Sequence, residues 1–135
     1  MYKVKKVFNI AYGHRLFNYE GKCANIHGHN GKIEINLKSP QLDGQDMVID
    51  FTLIAAKFKK WLNDNLDHKI ILSQKDPLLK TLRAEGQECY ETLGNPTAEV
   101  LAELIFKKTQ EEFPSVYKVK FWETDSCCAT CEQEK

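Results

Sequence analysis

Three of the chain's four histidines fall inside one window, at His14, His27 and His29. Each lies at the end of a stretch whose side chains alternate. Val4 to Tyr12 reads as a β-strand in which Phe8, Ile10 and Tyr12 share one parity, and His14 continues it. Gly28 to Lys38 reads as a second strand, in which Ile33, Ile35 and Leu37 share a parity that includes His27 and His29. Residues two apart on a strand point to the same side, so His27 and His29 can chelate one ion. If the two strands pair as a hairpin, His14 closes a three-histidine face. The connection between them, Arg15 to Asn25, is long and polar.

Three imidazoles with one open position form the usual arrangement of a catalytic zinc. Nitrogen ligands favour zinc over magnesium or calcium, while iron, nickel or copper also accept imidazole. Cys23 stands close enough in sequence to be a fourth ligand of a closed site or to lie beside the ion.

The bulk properties narrow the remaining classes. A chain of 135 residues fits one domain, here 1–135, with ordinary apolar content. The net charge is zero and the isoelectric point is about 6.9, which gives no electrostatic case for nucleic acid or a membrane surface. The N-terminal residues alternate, unlike a signal peptide or a membrane span, so a cytoplasmic location is expected. Five cysteines, Cys23, Cys89, Cys127, Cys128 and Cys131, are expected as free thiols or metal ligands there.

Further along the chain, Asp50 is placed to cap a helix whose face carries Phe51, Ile54, Phe58, Trp61 and Leu62, ending near Asn65. Ile70 to Leu72 reads as a short extended piece, Asp76-Pro77 as a turn or short helix, and Glu88 to Leu93 as a short strand. Asn95-Pro96-Thr97 opens a second helix with Asn95 as cap, carrying Val100, Leu101, Leu104 and Ile105 and stopped at Phe113-Pro114. Val116 to Trp122 is a third strand, and the tail after Glu123 adds a fourth. The expected fold is α+β, a four-stranded antiparallel sheet with two helices in the order ββααββ. The role of the cysteine-rich tail, 125–135, stays open: a metal or thiol-exchange site, or a variable strand.

Several short motifs follow in order: His14 within AYGHRL, Cys23-x-x-x-His27-Gly28-His29, Asp50-Phe51, Asp67-His68-Lys69, Pro96-Thr97-Ala98-Glu99 and Glu123-Thr124. Together they resemble the 6-pyruvoyl-tetrahydropterin synthase family, to about residue 124. The three residues between Cys23 and His27 resemble the bacterial carboxy-tetrahydropterin branch. The resemblance implies the tunnelling fold, in which three subunits close their sheets into a barrel and two trimers stack. It implies a homo-oligomer with its pocket between subunits, and 7,8-dihydroneopterin triphosphate as substrate. The expected products are 6-carboxy-5,6,7,8-tetrahydropterin, acetaldehyde and triphosphate, on the path to queuosine. Alternatives are triphosphate elimination alone, giving the pyruvoyl product, or noncatalytic pterin or purine binding.

The same resemblance assigns roles. His14, His27 and His29 hold zinc. Cys23 takes a proton from carbon, and His68, oriented by Asp67, is the second proton-transfer group. Glu123 anchors the pterin. Arg15, Lys22 and Lys69 are the candidate cations for the triphosphate.

Overall fold

A computed structural model describes residues 1–135. Strands β1 (Tyr2–His14) and β2 (His27–Ser39) are followed by helix α1 (Phe51–Asn65), β3 (Ile70–Ser73), α2 (Leu78–Ala84) and β4 (Cys89–Thr92). Helix α3 (Ala98–Glu112), β5 (Val116–Thr124) and β6 (Cys127–Glu132) complete the chain. All six strands form one sheet in the order β4-β3-β1-β2-β5-β6.

The β1–β2 ladder is the frame. It runs antiparallel without interruption from Tyr2↔Ser39 to His14↔His27. In that register Phe8, Ile10, Ile33, Ile35 and Leu37 fall on one face, where they meet Ile54, Phe58 and Leu62 of α1 and Leu101 and Ile105 of α3 in one core. The other parity carries Lys5, Glu34, Asn36 and Lys38, so the opposite face is polar, as expected of an antiparallel sheet with helices on one side. A one-residue slip would exchange the faces, so burial fixes the register.

The sheet differs from the expected four strands. The four long strands are present and antiparallel, but β3 and β4 extend the sheet beyond β1, parallel to it and to each other. Helix α2 provides the crossover that a parallel pair requires. Both strands were expected as short extended pieces, but four residues each carry too little periodicity to place them in the sheet. The outer edge of β1 is therefore covered only at its end, by β3 at Gly13 and His14 and by Asp67 and His68 at Ala11; the earlier part of that edge and the outer edge of β6 have no strand partner within the chain.

Helix α1 starts as expected, with the Asp50 carboxylate accepting from the Thr52 N–H at 2.8 Å. Helix α3 does not: its cap is Thr97, whose hydroxyl accepts from the Val100 N–H at 3.2 Å. No helix is long and apolar enough to cross a membrane.

Candidate metal centre and active-site recess

The ends of β1 and β2 bring the three histidines together. His14 lies opposite His27, and His29 opposite Tyr12, so the period-two pattern puts all three rings on the helix-covered face. One ligand atom from each lies within 4.8 Å of the others, and the ring centroids are 4.5, 5.0 and 5.1 Å apart.

Two of the rings are held by backbone carbonyls. His14 Nδ1 is 2.8 Å from the Pro96 carbonyl, and His27 Nδ1 is 2.7 Å from that of Asn25. A carbonyl only accepts, so each Nδ1 carries the proton and each Nε2 presents a lone pair. His14 is 2% exposed, and its Nε2 has no hydrogen-bond partner in the chain. Burial, with the His27 and His29 charges adding to it against the Pro96 hydrogen bond, pushes its pKa down to about 4. The ring is therefore neutral at physiological pH, the form a metal binds. An orphaned, buried, neutral imidazole nitrogen facing two more imidazoles fits an ion such as zinc.

Beside the cluster lies a recess of about 240 Å³ walled by His14, Cys23, Thr97, Glu99, Glu123 and Cys127, among others. Glu123 sits where the β5–β6 register shifts, a bulge between Trp122 and Thr124; bulges re-aim side chains in this way. Its Oε1 is 3.9 Å from His14 Nε2.

Cys23 is presented by a 3₁₀ turn, Lys22–Ala24, on a loop pinned at three points. Leu16 N–H donates to the Cys23 carbonyl at 2.8 Å. The Asn95 side chain accepts from Phe17 N–H at 2.7 Å and donates to Phe17 C=O at 3.0 Å. Arg15 forks onto Asp76, its Nε at 2.7 Å from Oδ2. Asn95, expected as a helix cap, is thus a loop clamp. It precedes Thr97 by two residues, and both have the chemistry of a cap, so composition did not separate them.

Asp67 and His68 lie elsewhere. Asp67 Oδ1 accepts from Ala11 N–H at 2.9 Å, and its Oδ2 is 2.9 Å from His68 Nδ1. Burial works against ionisation, but the Ala11 N–H, His68 and Lys69 outweigh it and hold the Asp67 carboxyl below its ordinary range. His68 is left-handed (φ 59°), and its side chain is 78% exposed. It lines a second groove, with Tyr12, Gly13, Gly28, His29 and Asn30, so His29 borders this groove while His14 borders the recess. The pair is formed as expected, but it does not wall the recess of its own chain.

The sequence profile described as 6-pyruvoyl tetrahydropterin synthase matches residues 3–134. The chain belongs to the 6-pyruvoyl tetrahydropterin synthase family. A relative from Rickettsia felis, named 6-carboxy-5,6,7,8-tetrahydropterin synthase, is 34% identical over 94% of this chain and 97% of its own. One of the same name from Haemophilus influenzae is 30% identical over the full length of both. Among solved structures, an uncharacterized protein from Wolinella succinogenes superposes with a TM-score of 0.85 at 26% identity, covering 98% of each chain. The 6-pyruvoyl tetrahydropterin synthase of Caenorhabditis elegans shares the fold, with a TM-score of 0.74 at 23% identity, covering 98% of this chain and 96% of its own.

Within this 6-pyruvoyl tetrahydropterin synthase framework the three candidate cations separate. Arg15 is committed to Asp76, and Lys69 Nζ to Glu88 at 2.7 Å. Lys22 alone of the three makes no ion pair with a carboxylate. The tail cysteines separate as well. Cys127 and Cys128 border the recess, whereas Cys131 is turned to α3, where burial and then Glu103 raise its thiol pKa. The three-histidine group is the one gathering of three or more metal-ligating side chains, so the cysteines do not assemble a four-thiolate site. Three of the named recess residues stood outside the expected site. Thr97 and Glu99 were legible in the Pro-Thr-Ala-Glu motif, and Cys127 only as part of the cysteine-rich tail.

Proposed function

We propose that this chain converts 7,8-dihydroneopterin triphosphate to 6-carboxy-5,6,7,8-tetrahydropterin, acetaldehyde and triphosphate, a carbon–carbon lyase reaction on the way to queuosine. The observation that carries the proposal is the convergence of His14, His27 and His29 on one point, with His14 also walling the recess that holds Cys23 and Glu123. It is joined by full-length relatives that bear this activity in their names.

His14, His27 and His29 hold zinc, which when bound supplies Lewis-acid polarisation of the substrate's side-chain oxygens. Cys23 lies in the same recess and removes the proton from the adjacent carbon. Glu123 accepts two hydrogen bonds from the pterin's 2-amino group and ring N–H, a bidentate pairing that orients the side chain toward Cys23. His68 is the second proton-transfer group; the Asp67 carboxylate fixes its Nδ1 side and stabilises its charged form.

His68 does not line the recess of its own chain and its side chain is 78% exposed, so the active unit is a homo-oligomer in which the Asp67–His68 corner of one protomer serves the recess of the next. The free edges support that reading. Uncovered strand edges invite pairing, and the β1 edge and the β6 edge lie on opposite sides of the antiparallel part of the sheet. Joining one to the other is a head-to-tail contact, which closes into a ring if the rotation permits: a trimer, or two stacked trimers. The five unpaired cysteines support a cytoplasmic setting.

Product analysis by mass tests the reaction. Zinc-loaded protein incubated with 7,8-dihydroneopterin triphosphate releases acetaldehyde and the 6-carboxy product. Accumulation of the pyruvoyl product alone replaces the proposal with simple triphosphate elimination, and binding without turnover makes the chain a pterin-binding protein. Complementation tests the shared site: Cys23→Ala and His68→Ala proteins, each inactive, recover activity when unfolded and refolded together. Recovery no greater than either variant alone places both groups in one subunit's site.

A further inference from the structure

Tyr12 is one of three residues with a buried side-chain polar atom that has no partner in the chain, its hydroxyl. The residue is 4% exposed, and a buried hydroxyl left without a partner is destabilising. Phenylalanine would fill the same space without that cost, so the oxygen needs a reason to be there.

Its surroundings point toward Glu123. The ring stands edge-on to His14 at 5.2 Å and to Phe121 at 5.6 Å. It passes over Gly31, where a Cβ atom would come within 3.0 Å of the Tyr12 ring and 3.2 Å of Phe121. The gap left by glycine is what allows an aromatic ring on β1 to reach across β2 toward β5. The β2–β5 ladder pairs Ile33 with Phe121 and Lys32 with Trp122, so the next residue of β5, Glu123, comes level with Gly31. Glu123 itself receives no hydrogen bond from the chain; its Oε1 lies 3.9 Å from His14 Nε2. After burial, the Glu123 charge is the other influence that raises the pKa of the Tyr12 phenol, which places the two groups within electrostatic reach.

We infer that Tyr12 is a positioning residue for Glu123, its hydroxyl donating to the carboxylate, directly or through one water, when the pterin is bound. A carboxylate has about four lone-pair sites. Two serve the pterin, and a third held by Tyr12 fixes the rotation of the group. The inference rests on the reading of Glu123 as the pterin anchor.

The test is a fluorescence titration of zinc-loaded protein with 7,8-dihydroneopterin, which lacks the triphosphate, for wild type, Tyr12→Phe, Glu123→Ala and the double variant. Hydrogen bonds to charged groups contribute about 1.5–3 kcal/mol, so Tyr12→Phe binds about tenfold or more weakly. Glu123→Ala binds more weakly still, and the double variant matches Glu123→Ala, because the hydroxyl then has nothing to hold. In turnover, Tyr12→Phe raises KM with little change in kcat. Its melting temperature is no lower than wild type, which separates positioning from packing. Tyr12→Phe binding like wild type, or losses that add in the double variant, overturn the inference while leaving Glu123 as anchor. Undiminished binding by Glu123→Ala, or no binding by wild type, removes both.

Discussion

His14 is 2% exposed and the His68 side chain 78% exposed, yet both are tied to the same strand. His14 is the last residue of β1, and His68 donates its backbone N–H to Ala11 of β1 at 2.7 Å. Around His14, the ladder, the Pro96 carbonyl and two further imidazoles determine tautomer, charge and direction. Around His68, the backbone is equally fixed, but the ring has one polar partner, Asp67, and is otherwise largely exposed. A site built inside a hairpin is ready before any ligand arrives. A site at a sheet corner fixes where its ring emerges and leaves the rest to whatever docks against it.

The largest test of that contrast is a pair of alanine variants. His27→Ala removes one of three proposed ligands, and metal affinity falls by more than the roughly 10–100-fold cost of losing an outer-shell partner. His68→Ala leaves metal affinity unchanged and lowers turnover about 10²–10⁴-fold, the range of a lost acid–base group. Chelator competition and steady-state kinetics on the same samples check both. A His68→Ala protein that loses metal would merge the two regions into one.

The hairpin half was legible from sequence for a physical reason. Strand periodicity is two, so a histidine's face follows from its parity with Ile33 or Phe8. The corner was legible only through the Asp67-His68-Lys69 motif, because a residue at φ 59° belongs to no period. The strands β3 and β4, four residues each, and the Asn95 clamp were not legible in their final roles. Their placement depends on partners far away in sequence: Phe17 for Asn95, and the end of β1 for β3.

The Arg15–Asp76 fork is a second such long-range partnership, and it links the Cys23 loop to the start of α2. Asp76 also accepts from Leu78 N–H at 2.9 Å, and its side chain is fully buried. Arg15→Met leaves that carboxylate without its cation and costs about 2–3 kcal/mol, less than the roughly 3–5 of a fully buried pair because Arg15 touches solvent. The Arg15 hydrogen bond, against burial, holds the folded Asp76 pKa below its ordinary value. Its contribution is therefore present above the unfolded carboxylate pKa and lost as pH falls through the lowered folded one. Urea denaturation across acid pH shows wild type and Arg15→Met converging in that window. A constant gap would mean that Arg15 acts through packing. At neutral pH the two proteins bind metal with equal affinity, which again separates the hairpin from the loop.

Gly31→Ala probes the hairpin's own tolerance. The added methyl group meets ring atoms of Tyr12 and Phe121, and overpacking of this kind costs about 1–3 kcal/mol. Trimming the ring in Gly31→Ala/Tyr12→Ala makes room for the methyl group, so the two changes are non-additive. Simple additivity in thermal melts would show that the clash is relieved elsewhere.

The smallest effect distinguishes two neighbouring residues with the same chemistry. Thr97→Ala removes the α3 cap and costs about 1 kcal/mol. Thr97 also walls the recess, but α3 stays packed through its core residues Leu101, Ala102 and Ile105, so the metal affinity stays as it was. Asn95→Ala removes no cap. It releases both hydrogen bonds to Phe17, so its effect appears in the loop that presents Cys23. Hydrogen exchange separates the two: Thr97→Ala speeds exchange at Val100, and Asn95→Ala speeds it at Phe17. The reverse assignment would restore Asn95 as the helix cap and detach the Cys23 loop from α3.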